Sequence, residues 1–125
     1  VKIYNRTVER AERLAAEFGC DFAGLDELSS VDAGLIINCT SIGMHPDINV
    51  SPLPRACLRR DMVVFDTVYN PPETLLLRQA KQAGAKTISG LSMFINQALA
   101  QFRLFTGRDA SAKLMRATIT DWLGC

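Results

Sequence analysis

Short apolar runs alternate along this chain with stretches in which apolar residues recur every three or four positions, the two periods of buried strands and amphipathic helices. Val1-Lys2-Ile3-Tyr4 reads as the end of a strand, followed by Thr7 at an N-cap position. Arg10, Ala11, Leu14, Ala15 and Phe18 then keep helical spacing up to a stop at Gly19. A short extended piece at Asp21-Phe22 and a short helix at Asp26 to Leu28 lead to Leu35-Ile36-Ile37, a continuous run of buried-strand type. Thr40 to Pro54 reads as a loop, and a short helix follows at Arg55 to Leu58. Met62-Val63-Val64-Phe65 is the next buried strand, broken by Asn70-Pro71-Pro72. Thr74 caps a helix to Ala83, Lys86-Thr87-Ile88-Ser89 is a third short strand, and Gly90 turns the chain into a helix from Ser92 to Thr106. A last amphipathic helix runs from Ser111 to Leu123.

Strands separated by helices predict right-handed crossovers and a parallel sheet covered on both faces, an α/β, doubly wound fold. In such sheets ligands bind beyond the carboxyl ends of the strands. The segments to inspect are therefore Asn5-Arg6-Thr7, Asn38 to Met44, Asp66 to Asn70 and Gly90 to Gln97.

A chain of 125 residues bounds this to one domain. Fourteen Lys+Arg against thirteen Asp+Glu leave a net charge of +1, so no basic field points to nucleic acid. The sequence has no apolar run long enough for a membrane span and no secretory leader pattern, so a cytoplasmic enzyme or part of one is expected. Cys20, Cys39, Cys57 and Cys125 stand far apart with a single histidine, His45, and read as reduced small hydrophobes and not as metal ligands.

A dinucleotide fold that uses NAD ends its second strand in an acid for the adenosine ribose. Here Asn5-Arg6-Thr7 stands instead: Arg6 offers a charged donor fork, Thr7 a hydroxyl, and a helix N-terminus lies behind, which suits the extra phosphate of NADP. Arg10, one turn on, either closes over that end of the cofactor or is, like Arg6, an ordinary solvated arginine. The run Asn38-Cys39-Thr40-Ser41-Ile42-Gly43-Met44 brings amides and short hydroxyls to the crevice, with Gly43 free to take a conformation other residues avoid. His45 reads as a loop residue. Asp66 caps its own loop or contacts a ligand, and Tyr69 caps the core or donates to a substrate oxygen. Met93 and Gln97 share one helical face, with Gln97 either binding a ligand or satisfying a buried carbonyl.

Four segments in order resemble the C-terminal, NADP-binding part of shikimate dehydrogenases: N-R-T-x-x-R-A at Asn5 to Ala11, I-N-x-T-S-x-G-M at Ile37 to Met44, D-x-V-Y-N-P at Asp66 to Pro71, and G-L-x-M-F-x-x-Q-A at Gly90 to Ala98. The first also resembles glutamyl-tRNA reductases, and Ser89 to Thr106 is similar to the dehydrogenase half of enzymes fused to dehydroquinate dehydratase. The resemblance implies reversible reduction of 3-dehydroshikimate to shikimate with NADPH, in aromatic amino-acid biosynthesis. It implies that Asn5, Arg6, Thr7 and Arg10 bind the adenosine phosphate, that Thr40 lies along the cofactor, that Thr67 and Gly90 meet its nicotinamide half, and that Met93 packs on the ring. Tyr69 and Gln97 would reach the substrate. Where family members often carry Met, this chain has Thr67.

By the same resemblance, residues 1–125 are expected to be the later part of a Rossmann-like domain that lacks its first strand, glycine-rich loop and first helix. The substrate domain, with its proton-transferring lysine and aspartate, is expected to lie outside this chain, leaving no catalytic residue within it and an inactive piece with unpaired sheet edges that favour self-association. The alternatives are a non-catalytic nucleotide-binding or interaction module and a dehydrogenase acting on quinate.

Overall fold

The computed structural model describes residues 1–123; Cys125 lies outside the described residues. Among the described residues, five strands, all paired in parallel, are interspersed with four α-helices. Strand β1 (Lys2–Asn5) leads through helix α1 (Val8–Phe18) to β2 (Asp21–Gly24), which pairs with it. A 3₁₀ turn at Leu25–Ser30 precedes β3 (Leu35–Asn38), and another at Arg55–Cys57 precedes β4 (Val63–Asp66). Helix α2 (Leu75–Gln82), β5 (Lys86–Ser89), α3 (Gly90–Thr106) and α4 (Ala112–Leu123) complete the chain.

The strands fall into two ladders, β1-β2 and β3-β4-β5. Both β1 and β3 are therefore edge strands, whose free backbone groups can take a further strand. The apolar run of β3 differs from the expected fully buried strand, because Leu35 and Ile37 are half exposed on one face. Central β4 is covered by the main core, in which Leu53, Leu58, Met62, Val64, Leu76, Leu77 and Ala80 pack together. Leu76, Leu77 and Ala80 lie on one side of α2, as the 3.6-residue period requires.

Three helix starts refine the sequence reading. Thr7 occupies the N-cap of α1 but makes no side-chain cap; the Asn5 side chain instead accepts from Thr7 N at 2.9 Å, closing an Asx turn with Arg6 at its tip. Thr74 caps α2 as expected, its hydroxyl accepting from Leu77 N. Helix α3 begins at Gly90 and not at Ser92, because Ser89 supplies the cap by accepting from Ser92 N.

Candidate functional site

All three strands of the larger ladder end at the same edge, and the polar residues there form one buried network. Asn38 closes β3 and Asp66 closes β4, side by side in register. The Asn38 amide donates to Asp66 Oδ1 at 3.0 Å and to the Ile42 carbonyl at 3.3 Å. Asp66 also accepts from Val68 N at 3.0 Å and from the Thr74 hydroxyl at 2.6 Å. Asn38, Asp66 and Thr74 are all buried, so these contacts replace water that none of them can reach. Asp66 thus caps its own loop, the first of its two sequence readings, and also ties together β3, β4 and the start of α2.

The same network shapes the loops above it. Thr40 N and the Thr40 hydroxyl both donate to Asn38 Oδ1, at 3.0 and 2.7 Å, while Thr40 Oγ1 accepts from Ile42 N. The Thr67 hydroxyl and Thr67 N both donate to the Asn38 carbonyl. Gly43 has φ 88°, the left-handed conformation anticipated for it, and a side chain there would press on the Val50 carbonyl. His45 N donates to the Asn70 carbonyl, pinning the two loops to each other.

Between these loops lies a cavity of about 380 Å³ whose lining includes Thr40, His45, Thr67, Tyr69 and Trp122. Of the residues singled out from sequence, Thr40, Thr67 and Tyr69 meet here. Tyr69 stacks on Phe94 of α3, with ring centroids 4.8 Å apart, which anchors the phenol's loop to the helix carrying Met93 and Gln97. Met93 and Gln97 lie one turn apart outside the cavity lining; Gln97 is exposed and has no hydrogen bond among the described residues, so it does not satisfy a buried carbonyl. Gly90 is buried beneath the site. A Cβ there would collide with the carbonyls of Thr67 and Val68, so its missing side chain lets α3 approach this loop.

Asn5, Arg6, Thr7 and Arg10 form a separate group at the end of β1. Arg6, Thr7 and Arg10 are exposed, and neither arginine has an acidic partner among the described residues. By contrast Lys2 and Lys81 pair with Glu27 and Glu73. Desolvation is the largest single influence on the Lys2 ammonium and lowers its proton affinity, but the Glu27 hydrogen bond and the charge interactions with Tyr4 and Glu27 together outweigh it and hold the group above its ordinary value. Two cavity residues lay beyond sequence reasoning. His45 reads locally as a loop residue, and Trp122 reaches the rim from a helix more than fifty positions away, with no local signal for that placement.

The donor set suits a phosphorylated dinucleotide: two unpaired guanidinium groups and a free hydroxyl at a helix start, then a separate hydroxyl-lined cavity at the strand ends. A family model described as "Shikimate 5'-dehydrogenase C-terminal domain" matches residues 90–120. The shikimate dehydrogenase (NADP(+)) of Methanocaldococcus jannaschii is 48% identical over 131 residues, covering 95% of this chain and 46% of that protein. A crystal structure of a shikimate dehydrogenase in complex with NADP+ superposes with a TM-score of 0.83 at 43% identity, covering 98% of this chain and 46% of that one. The Thermus thermophilus shikimate 5-dehydrogenase in complex with NADP(H) and shikimate gives 0.80 at 37% identity, covering 94% and 44%. The chain spans less than half the length of these relatives.

Proposed function

We propose that this chain, which is similar over nearly its whole length to shikimate dehydrogenases, is the cofactor-binding part of an enzyme that reversibly reduces 3-dehydroshikimate to shikimate. The observation that carries the reading is the meeting of Thr40, Thr67 and Tyr69 around one cavity at the strand ends. NADPH supplies the hydride when bound. Asn5, Arg6, Thr7 and Arg10 hold its adenosine phosphate, where Arg6 at the tip of the Asx turn forms charge-assisted bonds to the phosphate oxygens. Thr40 and Thr67 line the path to the nicotinamide end, Gly90 allows α3 to close against it, and Met93 packs on the ring. Tyr69 and the unpaired amide of Gln97 bind the substrate from the cofactor side. The catalytic proton donor belongs to a substrate domain beyond residues 1–125.

The assay is direct. The complete protein that contains this chain is given NADP+ with shikimate and, in parallel, with quinate, and cofactor reduction is followed. Turnover of shikimate with NADP+ is expected. Turnover of quinate alone would move the protein to a sister activity, and binding without turnover of either would favour a non-catalytic nucleotide-binding module.

A further inference from the structure

The hydrogen-bond network leaves the two cavity threonines with a definite polarity. A hydroxyl has one proton and two lone pairs. The Thr40 proton is committed to Asn38 Oδ1, because an amide oxygen can only accept; its oxygen already takes Ile42 N, leaving one lone pair. The orientation of the Asn38 amide is itself determined, since its nitrogen faces two acceptors, Asp66 Oδ1 and the Ile42 carbonyl. The Thr67 proton goes to the Asn38 main-chain carbonyl at 2.9 Å, leaving both lone pairs of that oxygen.

We infer that Thr40 and Thr67 present only acceptors to the cavity, and that Thr67 receives the N–H of the nicotinamide carboxamide. Phosphate oxygens, which are acceptors, find no partner in either hydroxyl, so neither threonine binds the pyrophosphate. The carboxamide stands beside the ring carbon that exchanges hydride, and Thr67 is two residues from Tyr69, which the proposed function assigns to the substrate. Asn38 is thus a positioning residue: its main-chain carbonyl directs the Thr67 hydroxyl inward, and its side chain does the same for Thr40. The inference rests on the NADP reading and gives it a chemical polarity.

The test uses the complete protein and two cofactors in equilibrium titrations: NADP+ and its 3-acetylpyridine analogue, whose ring substituent accepts but cannot donate. Thr67→Val removes the lone pairs at nearly constant shape, while Thr67→Ser keeps them. Loss of one neutral hydrogen bond predicts that Thr67→Val weakens NADP+ binding roughly five- to twentyfold and the analogue less than about twofold, with Thr67→Ser close to wild type. Thr67→Ala, which leaves room for the same comparison if the valine variant does not fold, is expected to show the same selectivity. Equal losses for the two cofactors, or no loss for either, would overturn the role of Thr67. Failure of the wild-type protein to bind NADP+ would instead overturn the cofactor reading beneath it.

Discussion

Arg6 and Gln97 are the side chains whose solvent-facing freedom matters most, because each offers donors that nothing else among the described residues engages. In the complete protein Arg6→Ala is expected to weaken NADPH by roughly ten- to a hundredfold, the loss of one charge-assisted hydrogen bond, and NADH far less. Equal weakening in a fluorescence titration would remove Arg6 from the phosphate. Gln97→Ala is expected to raise the dissociation constant for shikimate while cofactor affinity holds; the reverse pattern would return Gln97 to a structural role. The place of Arg6 between a strand end and a helix start was legible in sequence. What sequence left open was how Arg6 is presented, since the turn is closed by Asn5 and not by Thr7.

At the scale of elements, Asp66 joins the ends of β3 and β4 to the cap of α2 through three accepted hydrogen bonds. Its replacement by Ala strands three donors in a place water does not reach, at a cost of about 1–3 kcal/mol for each donor left unpaired. The thermal midpoint of the complete protein is expected to fall, and the affinities for cofactor and substrate to fall together, because both cavity loops hang from this group. An unchanged midpoint in scanning calorimetry would show that the loops are held by other contacts. The helices and strands themselves were readable from periodicity and from Thr74, Gly19 and Gly107 as their punctuation. Helix α3 starts two residues before the expected Ser92, because Ser89 supplies its cap, while the close packing of Gly90 on the Thr67–Val68 backbone is invisible to local pattern.

The whole molecule exposes 8422 Å², against roughly 6,600 Å² for a compact monomer of this mass by the usual surface scaling. Large apolar side chains contribute to that surface: Leu104 is 81% exposed, Phe105 85% and Trp122 78%. An excess of roughly 1,800 Å² on one partner is the scale of a permanent interface. The 125-residue chain by itself is therefore expected to associate with concentration in sedimentation experiments, and Leu104→Lys with Phe105→Lys to reduce that association. A monodisperse monomer at every concentration would refute it. The chain also contains no G-x-G-x-x-G run to cradle a pyrophosphate. Calorimetry on this chain alone is expected to find weak NADP binding or none, and tight binding would show that the arginine group and the cavity suffice.

Sequence by itself determined the parallel α/β class, the strand ends where polar residues gather, and the basic turn at Asn5-Arg6-Thr7, because periodicity, caps and side-chain charge are local properties. Tertiary structure decided which of those residues meet. It brought His45, Tyr69 and Trp122 to one cavity, set Asn38 beside Asp66, and gave the Thr40 and Thr67 hydroxyls their direction. Those outcomes depend on strand register and on the competition of buried groups for a limited number of partners, which no stretch of sequence carries alone.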